Sequence, residues 1–343
     1  MQTQKAAQQH SQQPSPMRIF EALNAYQKTA ALKAAIDLDV FTHVAKGATS
    51  TKQIASQTKA SEKGVRILCD YMVLHGFLTK KGNSYSLAPD SEFFLNRQSP
   101  AYIGSATQFL CSPDLQKYYE NLAAAVRNGG TTAGEGTVEP ENPIWVDFAR
   151  GMAGLMTLPA ELLAKLLAAH RGEPWKVLDI AAGHGMFGVT IAKHNPKAKI
   201  VALDWGSVLQ VAKENAERAG VGDRHTRLPG SAFDVEFGKD YDLVLVTNFL
   251  HHFDLPTNEK LLKKIHTSLK PGGRIAILEF VPNEDRVSPP ESAGFALIML
   301  GSTRAGDAYT YSEYQGILRK AGFKRDELHP LPPTPNQAIL AWK

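Results

Sequence analysis

The chain has 343 residues, 43% of them hydrophobic, and a formal net charge of +4. That much apolar material is sufficient for two globular domains, whereas the mild positive charge, with no run of Lys or Arg, argues against a nucleic-acid-binding stripe. No apolar stretch approaches the roughly 20 residues of a membrane-spanning helix. The two cysteines, Cys69 and Cys111, match no metal or redox spacing, so we predict a cytoplasmic protein without a metal site.

The first predicted segment is a disordered tail, residues 1–16, which is rich in glutamine and has neither the apolar core nor the cleavage site of a signal peptide. Residues 17–98 then show apolar positions at helical spacing, including two short helices at 51–57 and 62–75. A strand, a turn and a returning strand follow between residues 76 and 87. Helices followed by such a hairpin predict a winged-helix module.

A winged-helix module is compatible with two functions, DNA binding and dimer packing. In a DNA-binding module, the helix from Ser61 to Tyr71 would enter the groove. Phosphate binding needs a clear positive excess on that helix. Its charges instead nearly cancel, since it carries two acidic and two basic side chains: Glu62, Asp70, Lys63 and Arg66. The sequence therefore favours a dimerisation domain over a DNA-binding one.

Residues 99–172 are predicted to form a helical linker. Helices are expected at 115–127 and 159–169, and a Gly/Thr-rich loop at 129–136 follows the first of them. The sequence Arg171-Gly172-Glu173-Pro174 is a natural break, so a final domain is placed at 173–343.

Strands and helices alternate from residue 175 onward, which predicts an α/β domain with a parallel, doubly wound sheet. Strands are expected at 176–181, 199–204, 225–229, 241–247 and 273–281. The end of the chain differs, because two strands near 324–329 and 337–342 follow each other without a helix between them. Such strands should be antiparallel and close the sheet as a hairpin.

The most informative motif lies in residues 177–205, where a buried strand, a glycine turn, a helix and a second strand lead to Asp204. Gly183 and Gly185 leave the turn without side chains, so a ligand can lie against the backbone and the helix N-terminus. An acidic residue about 20 positions after the turn is placed to bind ribose hydroxyls. The segment therefore predicts a site for a nucleoside cofactor.

The position of Asp179 distinguishes between two such cofactors. The sequence GHGMFG satisfies the dinucleotide pattern G-x-G-x-x-G, but that pattern alone is weak. Asp179 lies inside the strand, where nicotinamide-binding strands usually carry an apolar residue. A carboxylate there suits S-adenosylmethionine, whose methionine half carries an ammonium and a sulfonium. The alternative is that Asp179 caps the following helix.

The D-x-A-x-G-x-G sequence resembles the first motif of class I S-adenosylmethionine-dependent methyltransferases. With the winged-helix start and the segment LKPGGRIAILE at 269–279, the chain from about residue 17 resembles the homodimeric small-molecule O-methyltransferases. These include plant caffeic-acid and acetylserotonin enzymes and bacterial antibiotic-tailoring relatives. The resemblance implies a Rossmann-like methyltransferase sheet with a C-terminal antiparallel hairpin, preceded by a mostly helical winged-helix dimerisation domain.

The same resemblance implies partners and cofactor. It suggests S-adenosylmethionine as the cofactor, a small-molecule acceptor, and a homodimer through the N-terminal domain, without nucleic-acid or membrane partners. Gly183 matches the family's cofactor glycine and Asp204 its ribose acid, whereas Ser231 replaces the family's adenine-binding aspartate. The remaining cofactor candidates lie nearby: Trp205, Ala232, Phe233 and Asn248. Phe233 is alternatively a core residue and Trp205 a boundary aromatic.

The reacting groups are expected after the strand in DLVLVTNFLHHFD, residues 242–254. His251 falls on the family's catalytic histidine, and Glu279 on the glutamate that orients it. A phenol of pKa about 10 is mostly protonated at neutral pH, so an imidazole can accept its proton as it attacks the sulfonium methyl. His252 is the second candidate base. Alternatively, the histidines only shape the cofactor site and Glu279 pairs with a local backbone or basic group.

Two departures from the family pattern concern the catalytic groups. Ala308 occupies the position of the family's second supporting glutamate, and Asp307, one residue away, is the candidate replacement. Thr247 stands where the family has a lysine. The sequence therefore supports the cofactor site more firmly than the catalytic one.

The family places the acceptor against segments before the first strand and after the fifth, within the linker at 99–172 and the domain at 173–343. Methionine suits flat, irregular molecules because its side chain is flexible and polarisable. The alternative for each residue is ordinary core packing. The predicted pocket residues are Met152, Met156, His252, Phe295, Ile298 and Met299. They favour an apolar or aromatic acceptor.

The favoured function is O-methylation of such an acceptor. Four other functions stay open: S-, N- or C-methylation on the same fold, cofactor binding without methyl transfer, nicotinamide-dependent oxidoreduction, and DNA-binding regulation. A thiol acceptor would need less help from a base, because it ionises more readily than a hydroxyl.

Overall fold

The computed structural model describes residues 14–343, and residues 1–13 of the predicted tail lie outside this range. The contacts divide the chain into two compact units, the first ending at Gly104 and the second spanning Ser105–Lys343. The helices of 105–172 thus belong to the same unit as the sheet. The finer division at residue 172 stays a prediction.

The first unit contains six helices and a hairpin among its described residues. They are α1 (Met17–Leu23), α2 (Ala25–Asp37), α3 (Val40–Ala45), α4 (Thr51–Thr58), α5 (Glu62–Leu74), β1 (Leu78–Lys81), β2 (Ser84–Leu87) and α6 (Pro89–Phe94). A capping box between Ser50 and Gln53 begins α4. The strands of the hairpin pair antiparallel, with Leu78 opposite Leu87. This helix and hairpin order is the predicted winged-helix arrangement.

Five α-helices precede the large sheet in the second unit: α7 (Thr107–Leu110), α8 (Pro113–Glu120), α9 (Leu122–Asn128), α10 (Ile144–Met152) and α11 (Thr157–Leu166). The sequence predicts one helix at 115–127. The structure has two, because the backbone of Asn121, at φ −123° and ψ 45°, leaves the helical region. The helix expected at 159–169 begins and ends earlier.

The large sheet has seven strands: β3 (Lys176–Ile180), β4 (Lys199–Asp204), β5 (His225–Pro229), β6 (Tyr241–Thr247), β7 (Leu269–Glu279), β8 (Arg325–Pro330) and β9 (Gln337–Trp342). Their order is β5-β4-β3-β6-β7-β9-β8. The first five are parallel, and β9 pairs antiparallel with both β7 and β8. The predicted α/β sheet with a C-terminal antiparallel hairpin is therefore confirmed.

Helices cover both faces of this sheet: α12 (Met186–His194), α13 (Gly206–Arg218), α14 (Leu255–Ser268) and α16 (Tyr311–Ala321). A further helix, α15 (Pro290–Ser302), follows β7 and packs against α8 and α9. Alternate strand residues therefore enter two separate apolar clusters, as with Val177 on one face and Leu178 on the other. The strand order reverses between β3 and β6, and the crevice at the carboxyl ends of these strands is where such sheets bind ligands. Within residues 14–343, no helix combines the length and apolar character needed to cross a membrane.

Candidate active site

A cavity opens at the carboxyl ends of β3, β4 and β6. Its empty space, including the mouth, is about 1090 Å³, which is ample for a nucleoside cofactor. The glycine turn after β3, the end of β4, residues 230–234 and residues 247–253 form its floor and sides. Val138, Pro140, Trp145 and Phe148 complete the wall.

The structure brings most predicted cofactor residues to this cavity. Those that line it are Gly183, Asp204, Trp205, Ser231, Ala232, Phe233 and Asn248, together with His252 from the predicted acceptor pocket. The other predicted residues lie behind the cavity surface or away from it: Asp179, Gly185, His251, Glu279, Asp307, Met152, Met156, Phe295, Ile298 and Met299.

Asp204 and Gly183 are joined across the cavity floor. The Gly183 N–H donates to Asp204 Oδ2 at 2.8 Å, and the Trp205 N–H donates to Oδ1 at 2.7 Å. Burial raises the pKa of the Asp204 carboxyl to about 6, although both N–H groups act in the opposite direction. Gly183 has φ +56°, and a Cβ there would point toward the ring of Phe148 at 3.7 Å. The turn therefore presents bare backbone and a carboxylate to a ligand.

Asp179 lies behind the cavity surface, so its contact with a cationic cofactor stays a prediction. It is fully buried, and its Oδ2 accepts the N–H of Gly188 in the first turn of α12 at 3.0 Å. Desolvation by burial raises its pKa to about 7, helped by the charge of Asp204. Asp179 therefore caps the helix, which was the alternative interpretation.

Gly185 has a structural role in this turn, and its contact with the cofactor stays a prediction. Its φ is +72°, and a Cβ would lie 2.9 Å from the Cβ of Ala212 on α13. Glycine is needed here because α12 and α13 approach closely. Of the two predicted glycines, only Gly183 lines the cavity.

The opposite side of the cavity is formed by residues 230–233 and by Asn248. Ser231 Oγ accepts the N–H of Phe233 at 3.1 Å. The ring of Phe233 is 37% exposed and meets the ring of Phe253 edge-on at 4.9 Å, so it is not a core residue. Asn248 has φ +51°, a conformation that costs energy in a residue with a side chain and is often found at functional sites.

His251 is held by Glu279 on a short 3-10 turn, Leu250–His252, directly after β6. The Nδ1 of His251 lies 2.5 Å from Glu279 Oε2. The other carboxylate oxygen accepts the N–H groups of Phe249 at 2.9 Å and Leu250 at 2.8 Å. Glu279 is fully buried and His251 is 4% exposed. One carboxylate thus fixes both the backbone of the turn and the imidazole.

His252 occupies a different environment from that of His251, although the two rings are only 4.2 Å apart. Its Nδ1 lies 3.1 Å from the carbonyl oxygen of Phe249, so Nδ1 donates and Nε2 carries the lone pair. Burial and the neighbouring His251 hold its pKa well below the usual histidine value. His252 is therefore a neutral ring in the cavity wall.

Asp307 does not occupy the position of a second carboxylate on the His251 ring. Its carboxylate lies 3.5 Å from Arg286, and its backbone N–H donates to the carbonyl oxygen of His251 at 3.0 Å. The replacement of the family's second glutamate by Asp307 therefore stays a prediction, and the observed contact of its carboxylate is with Arg286. Asn258 supports the turn instead, because its amide donates to the carbonyl oxygen of Leu250 at 2.8 Å.

The predicted acceptor residues divide into two groups. Met152, Met156 and Met299 are buried, and the first two belong to the main core cluster, which favours the core-packing alternative. Phe295 instead meets the ring of His251 edge-on at 4.7 Å. The Phe295 ring also stacks on the ring of Phe280 at 4.1 Å. Phe295 thus adjoins His251, as does His252, the other predicted acceptor residue beside that ring.

The sequence-based prediction missed an aromatic wall on the cavity, formed by Trp145, Phe148, His184, Phe249 and Phe253. Neighbouring rings are in contact, as with Trp145 and His252 at 5.2 Å. Trp145 and Phe148 are three residues apart and thus lie on one face of α10, a spacing that could have indicated a shared surface. His184 stands between the two glycines of the turn, and burial lowers its pKa to about 4.

The charges around the cavity fit a cationic cofactor. Among the residues that the structure describes, Asp204 and Asp234 line it but no Lys or Arg does, and its two histidines are neutral. A pyrophosphate would find no cation there, whereas a sulfonium meets carboxylates and aromatic rings. The bare turn at Gly183 and the carboxylate of Asp204 therefore suit S-adenosylmethionine.

Comparison with protein families gives the same result. Residues 119–324 match the model of the O-methyltransferase domain, and residues 20–97 match that of the O-methyltransferase dimerisation domain. The chain belongs to the O-methyltransferase family. The predicted family and its two-domain organisation of a dimerisation domain and a methyltransferase domain are confirmed.

Individual relatives extend this result over nearly the whole chain. A solved Nostoc punctiforme protein assigned to the O-methyltransferases is 49% identical, covers 96% of this chain and 100% of its own, and has a TM-score of 0.92. The tetracenomycin polyketide synthesis 8-O-methyl transferase of Streptomyces glaucescens is 25% identical over 92% of this chain and 93% of its own. Human N-acetylserotonin methyltransferase, solved with S-adenosylmethionine, shares the fold at 24% identity and a TM-score of 0.82, over 97% of this chain and 99% of its own.

These findings confirm the predicted activity and cofactor. The protein is an S-adenosylmethionine-dependent O-methyltransferase of the small-molecule, natural-product type.

Proposed function

We propose that this methyltransferase acts on a hydroxyl of a small apolar or aromatic metabolite, with His251 as the general base. The observation that carries the proposal is the contact of His251 Nδ1 with the buried carboxylate of Glu279 at 2.5 Å. A carboxylate on Nδ1 keeps the proton there and leaves the Nε2 lone pair to accept a proton from the acceptor.

The cofactor is assigned to the cavity at the ends of β3, β4 and β6. Asp204 would accept the ribose hydroxyls, Gly183 would offer bare backbone, and Ser231 and Phe233 would contact the adenine. S-adenosylmethionine supplies an electrophilic methyl group on a sulfonium. The chain has to exclude water from this methyl group and hold the acceptor hydroxyl in line with the bond between the methyl carbon and the sulfur.

Proton removal is assigned to the 3-10 turn. As the hydroxyl attacks, the imidazole of His251 takes its proton and becomes positively charged. Glu279 stabilises that charge without accepting the proton, because both of its oxygens already accept hydrogen bonds. Asn258 and Glu279 together keep the turn in place.

An aromatic acceptor is supported by the rings around His251. Phe295, stacked on Phe280, provides an apolar ring surface at 4.7 Å from the imidazole. One relative is named for tetracenomycin polyketide synthesis and another for acetylserotonin as its methyl acceptor. We therefore assign the acceptor to planar hydroxylated aromatics.

His252 is a second candidate base, because it lines the cavity whereas His251 lies behind it. Its lowered pKa makes it the weaker proton acceptor, since protonation would leave a charge in a buried site. We also propose a cytoplasmic homodimer that assembles through residues 17–98, on the strength of the dimerisation-domain match at 20–97.

An acceptor screen tests this function. Purified enzyme with S-adenosylmethionine is incubated with matched phenols, thiols and amines, and S-adenosylhomocysteine release is measured. Phenols should give the largest release, and the same phenol methylated in advance should give none. Release with thiols or amines but with none of the phenols would contradict the proposal.

A further inference from the structure

One loop of the second unit, residues 130–142, forms part of the cavity wall; we call it the strap. Two of its buried threonines fix it to the end of α15. The Thr131 N–H donates to the carbonyl oxygen of Thr303 at 2.8 Å, and the Thr137 N–H donates to that of Ser302 at 2.8 Å. Between these bonds, Gly136 and Thr303 form a β-bridge.

Gly136 leaves no room for a side chain at this bridge. Its φ is +70°, and a Cβ there would overlap the carbonyl oxygen of Ser302 and lie 2.9 Å from Thr131 Cγ2. The obstacle is backbone, which cannot rotate away as a flexible side chain does. Any substitution at Gly136 must therefore push the strap away from α15.

The strap holds the cavity wall directly. The carbonyl oxygen of Thr137 accepts the indole N–H of Trp145 at 2.8 Å. The Trp145 ring lines the cavity and meets the ring of His252 edge-on at 5.2 Å. Val138 and Pro140 of the strap line the cavity themselves. A shift of the strap would therefore move three parts of the wall at once.

We propose that Gly136 is a positioning residue for cofactor binding, which acts by holding the strap and thereby Trp145 against the cavity. The inference rests on the proposed assignment of this cavity to S-adenosylmethionine. Neither the D-x-A-x-G-x-G motif nor the predicted site residues include Gly136, which lies about 50 residues before the glycine turn in the chain.

Gly134→Ala is a matched control for Gly136→Ala. Gly134 also lies in the strap and has φ +59°, so alanine creates the same kind of backbone strain. Its Cβ would meet only the carboxylate end of Glu139 at 2.6 Å, which can swing away. The two variants therefore differ in the overlap with Ser302.

The dissociation constant of S-adenosylmethionine is measured by calorimetry for wild type and both variants, with the melting temperature recorded in parallel. We expect Gly136→Ala to raise the Kd about tenfold or more above that of Gly134→Ala, since relief of the overlap displaces the wall. Equal dissociation constants for the two variants would overturn the proposal.

A double-mutant cycle tests the link through Trp145. Trp145→Phe keeps a ring but removes the N–H that bonds to Thr137, and should itself raise the Kd. In the Trp145→Phe background, Gly136→Ala should cost clearly less affinity than in wild type. Additive effects would overturn the link. If Gly136→Ala does not fold, Trp145→Phe alone tests the link, and an unchanged Kd of S-adenosylmethionine in this variant would overturn it.

Fluorescence gives a readout that a merely structural role would not change. In a Trp205→Phe background, Trp145 is the one tryptophan lining the cavity in the described part of the chain, so a cofactor-induced change in emission reports its position. Gly136→Ala should diminish this change at saturating cofactor, whereas Gly134→Ala should not.

Asp204→Ala separates the proposed cofactor site from the proposed role of Gly136. If this variant leaves the Kd of S-adenosylmethionine unchanged, the assignment of the cavity to the cofactor fails. If it raises the Kd, the assignment holds and the Gly136 variants test the role of the strap alone.

Discussion

Glu279 contacts His251 at both its side chain and its backbone. The imidazole Nδ1 lies 2.5 Å from Oε2, and the His251 N–H points to Oε1 at 3.4 Å, where the N–H groups of Phe249 and Leu250 also converge. A single buried carboxylate therefore determines the shape of the turn and the tautomer of the ring. In the proposed mechanism, catalysis and local folding depend on the same side chain.

Substitution of His251 should abolish base catalysis without affecting cofactor binding. We expect His251→Gln to lower kcat on the order of 10²–10⁴-fold, the usual contribution of a general base. The Kd of S-adenosylmethionine should stay unchanged, because His251 lies behind the cavity. His252→Gln is the control. A larger loss of kcat in His252→Gln than in His251→Gln would transfer the role to the neighbouring ring.

Two substitutions of Glu279 should separate its two roles. Glu279→Gln keeps an oxygen for the N–H groups of Phe249 and Leu250 but places an amide N–H group opposite Nδ1, so the favoured tautomer is lost. We expect kcat to fall on the order of 10²-fold with a nearly unchanged melting temperature. Glu279→Ala should also destabilise the fold by about 1–3 kcal/mol per unpaired buried N–H. Equal melting temperatures for the two variants would contradict this separation.

Cofactor affinity should depend on the ionisation of Asp204. Burial raises its pKa to about 6, and the ionised form is the better acceptor for ribose hydroxyls. The Kd of S-adenosylmethionine should therefore decrease as the pH rises through about 6. Calorimetry from pH 5 to 8 measures this Kd. In the control variant Asp204→Asn, the Kd should not change with pH in this way, because the amide does not ionise. Asp204→Ala should cost roughly 1–3 kcal/mol of binding at neutral pH.

Asp179 should affect stability rather than binding. Burial raises its pKa to about 7, so the folded state binds the proton more tightly than the unfolded chain does. The free energy of unfolding should therefore fall as the pH rises from about 4 through 7. Asp179→Asn retains an acceptor for Gly188, and urea unfolding should show a flatter pH dependence. A tenfold weaker Kd of S-adenosylmethionine in this variant would contradict the capping role.

The strands of the sheet were predictable because their apolar runs and turn residues lie close together in the chain. The expected strand at 199–204 matches β4 as observed, and the final hairpin follows from two strands joined by a short proline-rich segment without a helix. Helix boundaries were less predictable. The single helix expected at 115–127 divides at Asn121. The sequence did not indicate this break, because one residue with a non-helical backbone hardly changes the spacing of the apolar residues.

Sequence alone determined the family, the sheet and the cofactor turn, because each is encoded by local spacing: glycines where a ligand meets backbone, and an acid at a strand end. The tertiary structure decided which of these residues reach the cavity. Asp179 and Gly185 turned inward to support α12, whereas Trp145 and Phe148 came to the wall from a helix that precedes the sheet. Side-chain direction and long-range packing decide which residues line the cavity, and the spacing of neighbouring residues in the sequence predicts neither.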